Sequence, residues 1–397
     1  MKGSFALNTK KNTVFISPIA VITGAVYVLL LAWLHYRQAD LSVSSDMPAY
    51  LTEIRGEESG YSFPYPLFFF LSGLLYHVLP IEWAVTVVLS VFNAIAFFGL
   101  YKWVKKTFDI PDWAAVLITV ITFIVSMIFF PLDIHSESEW WNFRYLGVFS
   151  PNPYQNATYF ATRPFAILLF TRFYDVEGGQ RKIRDYVLLG TWLLLSVLAK
   201  PSFVLIFLPV MGFVTLFDCL FKPLKDKHLV KMLIAVIPAC VALIIQYLSV
   251  FEASTEADGG IHIGVAVVWH LWTKGIKEAF ILANLFPLLF MIFHIDLIKK
   301  ERLLRYAWYT HLVGLSTFVL LYEGGVRMRD ANFAWGYMHG MFFVFFVSIC
   351  LTVKRMFSGD VKGKWREIVT APALILHVIC GMLFLVYVLE GGSVYTF

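Results

Sequence analysis

Apolar and polar positions do not alternate at a strand period along this chain. Long apolar runs instead follow one another, separated by short polar segments, from near the N-terminus almost to the last residues. A helix crossing a bilayer needs about 20 apolar residues. Runs of roughly that kind cover 13–34, 82–100, 112–131, 157–174, 186–199, 202–219, 230–250, 276–297, 306–322, 333–353 and 369–389. The pattern therefore predicts an all-α, polytopic transmembrane bundle of about eleven spans, forming a single membrane domain over 1–397. Lys200-Pro201 divides one long apolar stretch, because proline resists a helix interior and lysine resists the bilayer centre. A tight hairpin is expected there. No internal repeat is visible, which weakens a transporter reading based on inverted repeats.

The segment 66–79 is apolar but short, and Pro80 ends it. Such a segment is read as interfacial or re-entrant. Charge supports that choice. If 66–79 does not cross, the basic clusters Lys102/Lys105/Lys106, Arg181/Lys182/Arg184, Lys222/Lys225/Lys227, Lys299/Lys300/Arg302/Arg305 and Lys354/Arg355/Lys362/Lys364/Arg366 share the N-terminal side. About 23 of the 32 Lys and Arg then lie on one face and 9 on the other. The expected topology has the N-terminus in the cytoplasm and the C-terminus outside. The outer loops are then 35–81, 132–156, the Lys200 hairpin, 251–275 and 323–332, with interfacial helices in the first.

Composition agrees with this picture. The chain is 59% hydrophobic and 15% charged, against about 25% charged residues in a soluble domain. The net charge of +5 is spread in short clusters between apolar runs, so it follows topology and gives no reason to expect nucleic acid. Cys219, Cys240, Cys350 and Cys380 lie in or beside apolar segments without ligand-pair spacing, as expected of small buried hydrophobes. The first apolar run is longer than a signal-peptide core and lacks a small-x-small cleavage site, so it reads as a retained span.

Candidate chemistry gathers in the outer loops. Asp46, just before Met47-Pro48, could cap a short helix or act as a general base at the membrane surface. The Glu53–Glu58 acids read as solvated loop. The second loop carries Asp133, His135, Glu137 and Glu139 beside Trp140 and Trp141. Tryptophans there suit either an interfacial belt or a sugar-binding face. A divalent metal among those acids stays open, although their spacing is irregular. Arg163 and Lys200 lie in or against apolar sequence, where a charge costs about 2.5–3.5 kcal/mol at a span centre unless it snorkels. Glu323, Arg327, Arg329, Asp330 and Asn332 precede Trp335 and His339. Two arginines against the positive-inside trend suit lipid headgroups or, more sharply, the phosphate of an anionic substrate. The chain has no phosphate-cradling glycine loop, nucleophile elbow or zinc-protease motif.

Asp46 in the first outer loop, the Tyr65-Pro66-Leu67-Phe68 stretch opening an interfacial segment, the Asp133–Glu139 acids and the Arg327/Arg329 pair together resemble the GT-C superfamily of membrane glycosyltransferases. The match extends over most of the chain, in kind more than as a strict motif. Many relatives have an adjacent acidic pair where this chain has Asp46 alone, and no sizeable soluble C-terminal domain follows. The resemblance implies transfer of a sugar from a polyprenyl-phosphate donor to a glycan or lipid acceptor on the non-cytoplasmic side. Asp46 would serve as base, with Asp133 and Glu137 as further catalytic candidates. Arg327, Arg329, Arg163, Lys200, Asn332, His339, Tyr65 and Trp140 would bind substrate. No cofactor is required beyond that open divalent metal, and the partners are lipid-linked sugar, acceptor and membrane lipid. The location implied is a plasma or bacterial inner membrane, serving cell-envelope polysaccharide. The alternatives are a polymerase or ligase using lipid-pyrophosphate-linked glycans, and a transporter or flippase of anionic or lipid-linked substrates.

The topology is directly testable. Single cysteines placed next to Asp46, Glu137 and Arg329 should react with a membrane-impermeant thiol reagent added from outside; protection of any one would overturn the arrangement.

Overall fold

A computed structural model describes residues 15–57, 63–129, 149–179, 181–221, 227–252, 259–273, 275–357 and 364–392. Asp133, Glu137 and Trp140 lie outside the described residues. The helices are α1 (Pro18–Ala39), α2 (Met47–Arg55), α3 (Leu67–Tyr76), α4 (Ile81–Thr107), α5 (Asp112–Ile124), α6 (Ala157–Glu177), α7 (Ile183–Ala199) and α8 (Ser202–Phe221). They continue with α9 (His228–Tyr247), α10 (Val267–Trp272), α11 (Ile276–Phe293), α12 (Ile295–Lys300), α13 (Arg302–Leu320), α14 (Asn332–Met356) and α15 (Trp365–Leu389). Among the described residues, seven of these regions are long and apolar enough to cross a membrane: those of α1, α4, α8, α9, α11, α14 and α15. The chain is an all-α membrane bundle.

Helix α1 shows why these segments suit lipid. Pro18 occupies its first turn and the Ser17 hydroxyl accepts from Ala20 N, which fixes the start. Ile19, Ile22, Val26, Leu29 and Trp33 recur every three or four residues and are all exposed. Ala20, Gly24, Tyr27, Leu31 and Leu34 face the interior. A helix apolar on both faces is at home in a bilayer. Helix α3, by contrast, rises only about 15 Å, too little for a hydrocarbon core of about 30 Å. Phe70 and Leu74 remain exposed along it, and Val78 just beyond its end.

Helix α14 is the axis of the bundle, with every residue from Ala334 to Thr352 buried. Its crossing with α13 is close because Gly314 faces Tyr337 Cα and Gly340 faces His311 Cα, so the backbones meet without side chains between them.

Two features depart from the expected pattern. A continuous span over 112–131 was expected, but α5 stops at Ile124 and the chain runs non-helically through 125–129, with residues 125–128 buried. Non-helical backbone is tolerated at membrane depth only inside protein, and here its polar groups are met by side chains and backbone of neighbouring elements. Asn152 Nδ2 donates to Thr122 O and Val125 O, both at 3.0 Å. His377 Nδ1 donates to Ser126 O at 2.6 Å, while its Nε2 accepts from Phe286 N at 3.3 Å. Ile128 N donates to Leu282 O at 3.0 Å. One neutral tautomer of His377 makes both of its bonds. The second departure is a two-stranded antiparallel sheet, β1 (Ile261–Ile263) with β2 (Leu321–Glu323), pairing Ile261 with Glu323.

Gly381 is what lets α15 approach the end of α5. A Cβ there would stand 2.0 Å from Ile124 O, so Gly381→Ala must push the two apart, at about 1–3 kcal/mol for overpacking. Gly73→Ala meets nothing within 4 Å. Thermal unfolding in detergent should show the first variant clearly destabilised and the second unchanged.

Candidate functional site

Asp46 stands at the residue before α2, where a capping carboxylate would sit. Its backbone is helical, with φ −73° and ψ −2°, and its side chain makes no capping bond. The capping alternative therefore does not describe this carboxylate. The loop is held instead by Met47 N donating to Ser45 Oγ at 3.2 Å and Asp46 N donating to Gln155 O at 3.2 Å. That leaves Asp46 Oδ2 to accept from Asn156 Nδ2 and, more weakly at 3.5 Å, from the Tyr50 hydroxyl.

Asn156 is the hub of the cluster. It caps α6, its Oδ1 accepting from Tyr159 N at 2.7 Å. The same oxygen accepts from Thr158 at 2.9 Å and from Lys200 Nζ at 3.3 Å. Its Nδ2 also donates to Tyr50 Oη at 2.9 Å. One amide thus joins α2, α6 and the α7–α8 turn. Sequence reasoning passed over Asn156; the signal available was an Asn immediately before an apolar run, the N-cap signature.

Lys200 sits in the turn between α7 and α8, as the Lys-Pro break implied. It does not snorkel: it is 4% exposed. Its Nζ donates to Thr158 Oγ1 at 3.1 Å and lies 4.3 Å from the centre of the Trp335 ring. Burial brings its ammonium down from the usual lysine range to about 7, opposed by the carboxylates of Asp46, Asp330 and Glu323 and reinforced by Arg327. Tyr65 lies beside it, ring centre 5.9 Å from Nζ. Burial raises the Tyr65 phenol, while Arg327 and a hydrogen bond with Thr158 oppose the rise.

From the far side, Glu323 Oε2 accepts from Arg327 Nε at 2.9 Å and from Asn332 Nδ2 at 2.7 Å. The two arginines expected to act together are separated, since Arg327 is half-buried in this pair and Arg329 is exposed. His339, on α14 one turn beyond Trp335, is buried and stacks on Tyr159 at 4.1 Å. The structure thus brings together Asp46, Lys200, Tyr65, Arg327 and Asn332, with Trp335 and Asn156 completing the group.

Arg163 is placed elsewhere. It is fully buried within α6, its guanidinium 4.3 Å from the centres of both Phe123 and Phe160. It donates to Asn152 Oδ1 at 3.1 Å, Tyr27 Oη at 2.6 Å and Asn93 Oδ1 at 2.7 Å. These are neutral acceptors that hold the bundle together. Asp133, Glu137 and Trp140 fall outside the described residues, and among those described no three His, Cys, Asp or Glu side chains form a metal site. No protein-family model matches the chain, and no curated protein matches it in sequence.

The arrangement offers a carboxylate oriented by an amide, a buried lysine able to carry or release a proton near neutrality, and aromatic faces beside both. Lys200 also sets a pH dependence. Its folded value of about 7 lies below the ordinary 10.5, so between these values the unfolded chain holds a proton that the folded one lacks. Stability from this group therefore rises with pH across that window. Thermal unfolding between pH 7 and 9 should show this slope in wild type and a flatter one in Lys200→Met; an unchanged slope would remove Lys200 as its source.

Proposed function

We propose that the chain is a membrane glycosyltransferase of GT-C type, with about eleven spans, its N-terminus in the cytoplasm and its C-terminus outside. In this reading α5, α6, α7 and α13 cross together with the seven long apolar helices. It transfers a sugar from a polyprenyl-phosphate donor to a glycan or lipid acceptor at the outer surface. The observation that carries the reading is the Asp46 carboxylate, free of capping duty and oriented by Asn156 beside buried Lys200.

The chemistry follows from those positions. An acceptor hydroxyl attacks the anomeric carbon and gives its proton to Asp46. The bond from that carbon to the phosphate oxygen breaks, and its electron pair leaves with the lipid phosphate. Lys200 and Arg327 neutralise the charge growing there. One displacement inverts the anomeric centre. Trp335 and Tyr65 supply faces on which a sugar ring can rest.

Two observations favour a second reading, a transporter of an anionic or lipid-linked substrate. Transport uses helices broken inside the membrane and charges away from its surface, and α5 breaks at Ile124 while Arg163 is fully buried within α6. Internal hydrogen bonds take up the α5 break and both terminal nitrogens of Arg163, so the transferase reading stands first.

The test is turnover by purified wild type and Asp46→Asn in detergent, with a panel of polyprenyl-phosphate sugars and released lipid phosphate as readout. Wild type should turn over one donor, and Asp46→Asn should lose about a hundredfold or more, the usual worth of a general base. Equal rates would move the base to the Asp133–Glu139 loop. No turnover with any donor would leave the polymerase or ligase reading and the transport reading in its place.

A further inference from the structure

The outer loop 251–275 contains a surface that the candidate site does not use. Residues 259–273 include no Asp, Glu, Lys or Arg, although neighbouring outer segments are rich in them. Within this stretch Ile261, Ile263 and Val265 alternate with His262 and Gly264. Side chains two apart on extended backbone share a face, and here that face is open: Ile263 is 85% exposed and Val265 is 74% exposed. The opposite face is occupied, with His262 stacked on Tyr322 at 5.4 Å between ring centres.

This apolar face continues an exposed apolar face of α13. Gly264 N donates to Leu320 O at 2.9 Å and Ala266 N to Val319 O at 2.6 Å, so the strand lies along the last turn of α13. Leu312 and Leu320 of α13 are exposed apolar residues of the bundle's outer wall. Beyond the strand, α10 presents exposed Leu271 and half-buried Trp272, while Trp269 anchors it by packing on Phe149 and Phe318 at 5.4 and 4.9 Å. Tryptophan beside aliphatic residues is the composition of a membrane interface.

We propose that the β1 edge of the two-stranded sheet is a membrane-dipping element, with Ile261, Ile263 and Val265 seated among the lipids at the boundary of one leaflet. A strand with one uncharged face turned outwards next to lipid-exposed helix gains by burying that face in acyl chains. Its backbone remains partly paired, through β2 and through the end of α13, which limits the cost of leaving water. The strand pair also joins this face to the polar cluster, because Ile261 pairs with Glu323, the residue that holds Arg327. The inference stands whether the site transfers sugars or transports them.

A fluorescent NBD probe tests it, attached to Ile263→Cys in full-length protein carrying Cys219→Ser and Cys240→Ser. The protein is reconstituted in phosphatidylcholine–phosphatidylglycerol vesicles. Lipid doxyl-labelled near the headgroup should cost the probe most of its emission, and aqueous iodide little; Glu57→Cys, on an exposed charged loop, should show the reverse. Val265→Cys, on the same face, should repeat the Ile263 result and serves if the first variant folds poorly. Quenching by iodide alone at both positions would overturn the proposal. So would protection from both quenchers together with a 263–263 crosslink, which would mean that a second copy covers the face.

Discussion

Lipid offers no hydrogen-bond partners, so every polar group inside the bundle must find one within the protein. The segment 150–156 meets that demand where it is hardest to meet. Helix α5 ends at Ile124 and leaves carbonyls that no following helical turn can use. Asn152 takes two of them, and its own carbonyl oxygen accepts from Arg163. Ser150 accepts from Ser126, Tyr154 O from Gln38, and Gln155 O from Asp46 N. Asn156 then caps α6 and holds Asp46 and Lys200. One short loop thus closes a broken helix at one end and orients the candidate carboxylate at the other.

Arg163 is part of the same economy. A cation buried in a bundle without a carboxylate beside it is expensive. Three neutral oxygens and two phenylalanine faces receive it, and those oxygens come from α1, α4 and the 150–156 loop. Removing Tyr27 or Asn93 would leave a donor unmet in a medium that supplies nothing. The residue is thereby a cross-link among α1, α4 and α6, and its chemistry is spent on the fold.

The opposite end of the bundle is closed by two His–Glu pairs. Glu177 accepts from His228 at 2.9 Å and from Thr215 at 3.1 Å, while Tyr186 and His228 Nδ1 are 2.7 Å apart, so α6, α7, α8 and α9 meet in one cluster. Glu367 accepts from His294 at 2.9 Å and from Arg355, joining α15 to α14 and to the turn after α11. Both clusters lie near the basic clusters, on the side opposite Asp46. Charge there binds helices to one another, whereas near Lys200 it stands against the rings of Tyr65 and Trp335.

The sequence alone determined what depends on local composition. Apolar run length implied the membrane bundle, Pro80 and the shortness of 66–79 implied that α3 would be short, and Lys200-Pro201 implied the α7–α8 turn. Those features follow from the solvent that each segment must face, which is written in its own residues. Only the tertiary structure decided which polar groups meet. The α5 break depends on Gly381, His377 and Asn152, which are distant in sequence, so no window around residue 124 could reveal it. Arg163 and Lys200 looked alike as charges in apolar sequence, yet one is absorbed by neutral partners and the other lies beside Asp46. Arg327 and Arg329 likewise part company because Glu323 reaches only one of them. Partners of this kind are chosen by packing across the bundle, and residue type by itself carries no record of that choice.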